Sequence, residues 1–234
     1  MPPDPIQSGC LFLVATPIGN LGDLSRRATE TLGQCDLIAC EDTRVSGKLL
    51  HHLQITKPLV SYREENEKTK CIEIAQQIES GQNIALVSDA GYPCISDPGF
   101  RLVRECHRKN LKVIPIPGPN AALTALAASG LPTHQFIYLG FLPKKTAQVR
   151  KTLLTWFNFE GSIIVYESKY KIEKTLSTLV EVCGEERYIC LARELTKAYE
   201  SIITGPVREV IQKQSKASGK GEFTLVIGPP GYSF

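Results

Sequence analysis

With 234 residues, 42% of them hydrophobic and 22% charged, the chain has the make-up of an ordinary globular protein, long enough for one large domain or two small ones. No apolar run reaches the length of a membrane span. The first ten residues, with three prolines and no cationic apolar core, lack a signal-peptide pattern, so a cytoplasmic protein is expected. A net charge of +3 is too small to establish a nucleic-acid partner by itself. The eight cysteines are scattered without a C-x-x-C pair, and the four histidines, including the His51-His52 doublet, show no metal-ligand spacing. Reduced structural thiols and no metal site are therefore expected.

From Leu11 to Ser129 strand and helix patterns alternate. Strands are predicted near 11–15, 36–40, 58–61, 84–87 and 112–115, with helices between them, which argues for a parallel sheet covered on both faces. The first strand runs into Ala15 to Asp23, ATPIGNLGD, a turn with two glycines, a proline and an asparagine ahead of a helical pattern at Leu24, Ala28 and Leu32. It lacks both the G-x-G-x-x-G spacing and the Gly-Lys-Ser/Thr ending, so nucleotide-phosphate binding is not indicated. The most informative stretch is Ile84 to Gly99, IALVSDAGYPCISDPG. Ile84 to Val87 reads as a strand buried on both faces, and the small-residue loop after it lies where an open α/β sheet binds ligands. Ser88, Asp89, Ala90 and Gly91 admit a ligand close to the main chain, and Asp89 is able to accept hydrogen bonds from hydroxyls or an amine. Asp97 is expected to cap a helix that begins at Pro98. A third loop, Pro115 to Ala122, PIPGPNAA, is stiffened by its prolines and opens the alanine-rich helix Ala121 to Ala128. Three strand ends carrying three small-residue loops point to one pocket.

After Gly130-Leu131-Pro132 the character changes. Strands are predicted at Phe136 to Phe141, Ser162 to Tyr166, Tyr188 to Arg193, Tyr199 to Thr204 and Phe223 to Ile227, with helices at Ala147 to Phe157 and Lys169 to Val182. The last three strands are separated by at most one short helix, which favours antiparallel pairing and a mixed sheet. The fold class is thus α/β, with an N-terminal parallel-sheet lobe over 1–130 and a C-terminal mixed-sheet lobe over 131–234. The first eight or nine residues and the run Ser215 to Lys220 are expected to be mobile.

The blocks ATPIGNLGD, ACEDTR, LVSDAGYPCISDPG, PGPNAALTAL, GLP, GFLP, YES and ARELTK occur in an order and at spacings that strongly resemble the ribosomal RNA small subunit methyltransferase I family, within the tetrapyrrole methylase superfamily. The resemblance runs from about Leu11 to Gly228. It implies a two-lobed α/β protein, usually a homodimer, that binds S-adenosylmethionine in a cleft between its lobes. It also implies methylation of the ribose 2′-hydroxyl of a cytidine in the decoding centre of 16S rRNA in the small ribosomal subunit.

Carried over position by position, the resemblance assigns cofactor binding to Pro17, to Ser88, Asp89 and Ala90, to Ile95, and to Asn120 and Ala121 at the start of a helix. In the second lobe it assigns Tyr166 of YES and Ala192 of ARELTK. An apolar slot edged by backbone groups suits adenine, and helix-start amides suit a carboxylate. Tyr166 reads equally well as a core aromatic at a strand end. Methyl transfer from a sulfonium needs mainly an in-line approach of the nucleophile, and a ribose hydroxyl also gains from a nearby base or cation. Among the polar clusters at strand ends, Glu194 is the candidate base, Lys197 the candidate stabiliser of the developing alkoxide, and Arg44 the candidate phosphate holder. A salt-bridged surface cluster explains the same charges. RNA contact is assigned to Lys144, Lys145, Arg150 and Lys151, with Lys169 to Lys174 adding charge and Tyr170 able to stack on a base; solvated helix faces are the alternative.

Two other functions remain open at this level: methylation of a precorrin-type macrocycle, and a non-catalytic module that binds S-adenosylmethionine or RNA. The first loop, PIGNLGD, is less glycine-rich than the form in the corrin enzymes. Many relatives continue into an additional basic C-terminal segment, whereas this chain stops at Phe234, so part of the usual RNA-binding surface is expected to be missing. Tyr92 stands where a smaller residue is usual and is expected to narrow the pocket mouth.

Overall fold

The computed structural model describes residues 9–215 and 219–234, and the chain forms two compact units, Met1–Asn120 and Ala121–Phe234. Residues 1–8 and 216–218, part of the two segments expected to be mobile, lie outside the described residues. Of the rest of those segments, Gly9 donates its amide to the Ile78 carbonyl at 2.8 Å, Ser215 ends a helix, and the Lys220 carbonyl accepts from Arg193 Nε at 2.6 Å.

The first unit is a five-stranded parallel sheet of β1 (Cys10–Val14), β2 (Leu37–Cys40), β3 (Leu59–Ser61), β4 (Ile84–Val87) and β5 (Lys112–Ile116), in the order β3-β2-β4-β1-β5. Around it lie α1 (Arg26–Gln34), α2 (Thr43–His52), α3 (Glu67–Glu79) and α4 (Phe100–Arg108). The apolar runs dictate this arrangement, because alternate residues of each strand enter opposite cores. Leu11, Ile84 and Leu86 join Ile74, Ile78 and Leu102 of α3 and α4 on one face. Val14, Ala85 and Val87 join Leu32 and Leu50 of α1 and α2 on the other. All four residues of β4 are buried, as its unbroken apolar pattern requires.

One local expectation fails. The helix expected at Pro98 begins instead at Phe100, and its N-cap is Gly99, not Asp97. Positive φ at Cys94 (73°) and Ser96 (65°) coils the intervening loop, and Gly99 at φ 144° turns it into the helix. Strand β5 takes in Pro115, as the predicted strand 112–115 does, and runs one residue further to Ile116; it is an edge strand, where proline is tolerated.

The second unit opens with α5 (Ala121–Ala128), which packs against strands of its own unit, β7 (Ser162–Ser168) and β10 (Glu222–Ile227). The composition shift at Gly130-Leu131-Pro132 comes one helix after the division between the units. The sheet also contains β6 (Phe136–Phe141), β8 (Tyr188–Arg193) and β9 (Ser201–Pro206), in the order β6-β7-β10-β8-β9. Only β6 and β7 run parallel; the other neighbours are antiparallel, giving the mixed sheet expected from the strand spacing. Its core joins Val165, Leu191 and Leu225 to Leu153 of α6 (Thr146–Trp156), Leu176 and Leu179 of α7 (Ile172–Cys183), and Val210 of α8 (Val207–Ser215). Helix α7 starts three residues later than the pattern suggests, because Lys169, Tyr170 and Lys171 form a turn. Among the described residues, no helix is long and apolar enough to cross a membrane.

A Cβ on residue 99 would lie 2.5 Å from Cys94 Sγ and 2.8 Å from Leu86 Cδ2, in a φ region that L-residues avoid. Backbone strain and overpacking together should make Gly99→Ala about 2–4 kcal/mol less stable, read as a lowered urea midpoint with an unchanged m-value.

Candidate functional site

The carboxyl end of the first sheet is where the three small-residue loops meet. Strand β4 feeds α4 on one face, while its neighbours β1 and β2 feed α1 and α2 on the other, so the chain diverges here and opens the crevice that such sheets use for ligands. Thr16 and Gly91 form an isolated bridge, with Thr16 N donating to Gly91 O at 2.8 Å and Gly91 N to Thr16 O at 3.0 Å. The buried Thr16 hydroxyl donates to Ser88 O at 3.0 Å, tying the loop after β1 to the end of β4. A Cβ on Gly118 would stand 2.8 Å from Ala15 Cβ, so the third loop also comes within backbone distance of the first. Of the assigned positions, Ser88 is buried, Pro17, Asp89, Asn120 and Ala121 are half-buried, and Ala90 and Ile95 are exposed.

The electrostatics of this end are acidic. Asp89 Oδ1 accepts from the Asp42 amide at 3.1 Å, and burial, reinforced by the Asp42 charge, raises the Asp89 pKa. Burial also raises that of Glu41, with the Asp89 charge adding to it. Asp97, freed of the capping role, has its carboxyl pushed up to about 6, by burial first and then by Glu41, against an opposing hydrogen bond from Ser88. The nearby cation Arg44 is committed elsewhere: its Nε and Nη2 donate to Asp42 at 3.0 and 2.6 Å. The Arg44 side chain is 86% exposed, and it holds the Asp42 carboxyl well below the usual carboxylate range. An acid-lined crevice with raised pKa values is a place where a bound cation gains.

In the second unit, Tyr166 sits on β7 with its hydroxyl oxygen accepting from the Ala122 amide at 3.1 Å, so one amide of the α5 start is already engaged. Its ring packs edge-on to Tyr138 and Phe141, with centroids 5.1 and 5.6 Å apart. Ala192 is buried in β8, paired with Thr224 on one side and Ile202 on the other. Glu194 and Thr196, just beyond β8, take φ of 50° and 65°. Glu194 Oε1 accepts from the Glu222 amide at 2.9 Å and from Lys197 Nζ at 3.0 Å, and Lys197 also donates to Glu222 Oε2 at 2.8 Å. These bonds lower the Glu194 pKa against its desolvation and raise that of Lys197. Glu194 and Lys197 are therefore brought together as an ion pair clasped to β10. Lys144, Lys145, Arg150 and Lys151 are exposed at the start of α6 and along it, and Arg150 pairs with Glu181 at 3.3 Å.

The sequence reading missed Thr16 as the link between loops. Its partners lie 72 and 75 residues away, and no local pattern carries that information. Asp before Pro is a capping signature whichever way the loop coils, so local sequence gives Asp97 a capping role that the structure assigns to Gly99.

The model of the family described as Tetrapyrrole (Corrin/Porphyrin) Methylases matches residues 10–211. A ribosomal RNA small subunit methyltransferase I from Synechocystis is 48% identical over 219 residues, covering 94% of this chain and 78% of that protein. The protein of the same name from Mycoplasmopsis pulmonis is 49% identical over 216 residues, covering 92% of this chain and 96% of the relative. The crystal structure of uroporphyrin-III-C-methyltransferase from Thermus thermophilus superposes with a TM-score of 0.65 at 18% identity, over 94% of each chain, which is a likeness of fold. With its two α/β sheets, its loops gathered at the strand ends and this degree of identity, the chain belongs to the tetrapyrrole methylase family and, within it, to the ribosomal RNA small subunit methyltransferase I group.

Proposed function

We propose that this S-adenosylmethionine-dependent methyltransferase methylates the 2′-hydroxyl of a cytidine ribose in the decoding centre of 16S rRNA, acting as a cytoplasmic homodimer on the small ribosomal subunit. The observation that carries the reading is identity of 48% and 49% to ribosomal RNA small subunit methyltransferases over more than nine-tenths of this chain.

The residues at the first sheet's carboxyl end suit the cofactor chemically. Burial, with their mutual repulsion added, raises the pKa values of Glu41, Asp89 and Asp97, a penalty on their charged forms that a sulfonium and an ammonium group would relieve. Pro17, Ser88, Asp89, Ala90, Ile95, Asn120 and Ala121 are the proposed holders in the first loops and at the α5 start, with Tyr166 and Ala192 proposed from the second unit. When bound, S-adenosylmethionine supplies a methyl group activated by positive sulfur. The chain's own part is to orient and to handle charge. Lys197 keeps a fixed positive charge and is the proposed stabiliser of the ribose oxygen as its proton leaves. Glu194 stays ionised, holds Lys197 in place, and is the proposed acceptor of that proton; its lowered pKa makes it the weaker contributor. Two of the five Arg44 donors are used by Asp42, and the remainder are proposed to meet an RNA phosphate. Lys144, Lys145, Arg150 and Lys151 are proposed to contact further phosphates.

Because a bound cation favours ionised carboxylates, affinity for S-adenosylmethionine should rise as pH increases through about 6, the range in which Asp97 titrates. Calorimetry in buffers of different ionisation enthalpy should record proton release in that range, and Asp97→Asn should abolish most of it. Transfer of labelled methyl to purified small subunits, with naked 16S rRNA and a precorrin as parallel acceptors, tests the substrate. Label on a cytidine ribose of the subunit is expected, whereas cofactor binding with label on the macrocycle alone, or on nothing, would refute it. In the same assay Lys197→Met should lose about 100-fold in kcat and Glu194→Gln less; full activity in both would remove them from the chemistry.

A further inference from the structure

At the carboxyl ends of β6 and β7, the one parallel pair of the second sheet, large aromatic side chains stand in solvent among lysines. Phe141 is 60% exposed at the end of β6, and Tyr170 is 85% exposed in the turn after β7. The two elements are in register at this end, with Phe141 opposite Tyr166, whose ring supports Phe141 edge-on. Lys169 Nζ lies 4.9 Å from the centroid of the Tyr170 ring, a cation–π contact at the surface.

The turn that carries Tyr170 is braced from beneath. The Glu167 carboxylate is buried and accepts from the Ser168 amide at 2.9 Å and from the Thr175 hydroxyl at 2.8 Å. Lys171 Nζ lies 3.6 Å from Glu167 and donates to the Leu142 carbonyl at 3.2 Å, joining the turn to the chain just after Phe141. Two exposed rings at the same end of one parallel strand pair, one of them on a braced turn, offer flat faces to a partner that has flat apolar faces of its own. Lys169 is exposed at the Tyr170 ring, and Lys144 and Lys145 are exposed three and four residues after Phe141, which selects a polyanion.

We infer that Phe141 and Tyr170 form a stacking platform for unpaired RNA bases, with Lys144, Lys145 and Lys169 holding the adjoining phosphates. The inference rests on the RNA substrate proposed above and adds to it the form of RNA recognised: single-stranded, with bases turned out of a helix, because only unpaired bases offer both faces to a ring. A duplex would meet the lysines but not the rings.

The test is fluorescence titration of the full chain with a single-stranded oligoribonucleotide containing a fluorescent base analogue, and with its duplex. Phe141→Ala and Tyr170→Ala should each weaken single-strand binding by about tenfold and remove the base-stacking quench, while leaving duplex binding and the melting temperature unchanged. Tyr170→Phe should restore both signals. Lys144→Glu with Lys145→Glu should weaken both RNAs and flatten the salt dependence. Unchanged single-strand affinity in the Phe141→Ala/Tyr170→Ala double variant would overturn the platform. So would equal loss for both RNAs, or loss of self-association without loss of RNA binding. Ring-dependent RNA binding without 16S rRNA methylation would leave the platform standing and defeat the cytidine reading. Normal methylation by the double variant, with an unchanged KM for the subunit, would do the reverse.

Discussion

The bridge between Thr16 and Gly91 is the interaction on which the candidate site depends. It joins the exits of two neighbouring parallel strands, β1 and β4, and the buried Thr16 hydroxyl adds a third bond to the Ser88 carbonyl. In the absence of these bonds the start of the loop after β4 would lose its link to the loop after β1, leaving the Thr16 and Gly91 backbone groups without partners. With them, short side chains and backbone groups are presented at fixed positions, as a small ligand requires. The close approach of Gly118 to Ala15 extends the same constraint to the third loop.

Charge is divided in a way that suits the chemistry. The carboxyl end of the first sheet carries acids whose pKa values are raised by burial, which suits the cationic groups of the cofactor proposed to lie there. The second unit carries exposed aromatic rings at the end of β6 and in the turn after β7, with exposed lysines in the segments that follow these strands, where a polyanion with flat bases would be met. Its ion pair of Glu194 and Lys197 is different again: Lys197 bridges two carboxylates, so its positive charge persists across the physiological range.

Much of the fold was legible because strand burial is written locally. Four consecutive apolar residues at Ile84 to Val87 have no stable home except between two layers, and the structure buries all four. The second half was readable in the same way, since strands separated by short connections pair antiparallel. The gathering of three loops at one end of the first sheet follows from parallel strands, whose exits share an edge. What escaped local reading depends on distant partners. The start of α4 is decided by a loop coiled through two positive-φ residues, which overrides the Asp-Pro capping signature. The clasp on Glu194 comes from Glu222, 28 residues away, and the engagement of Tyr166 comes from Ala122, 44 residues before it. Spacing identified these residues as polar or aromatic at strand ends and carried no information on their partners.

The cofactor is proposed to lie against the converged loops at the carboxyl end of the first sheet, and the cofactor-binding roles assigned above follow from that placement. Hydrogen–deuterium exchange with and without saturating S-adenosylmethionine addresses it directly. Slowed exchange is predicted in residues 16–20, 88–95 and 118–122, with no change at the opposite end of the sheet around residues 54–59. Protection at 54–59, or none in the three loops although the cofactor is bound, would contradict the placement.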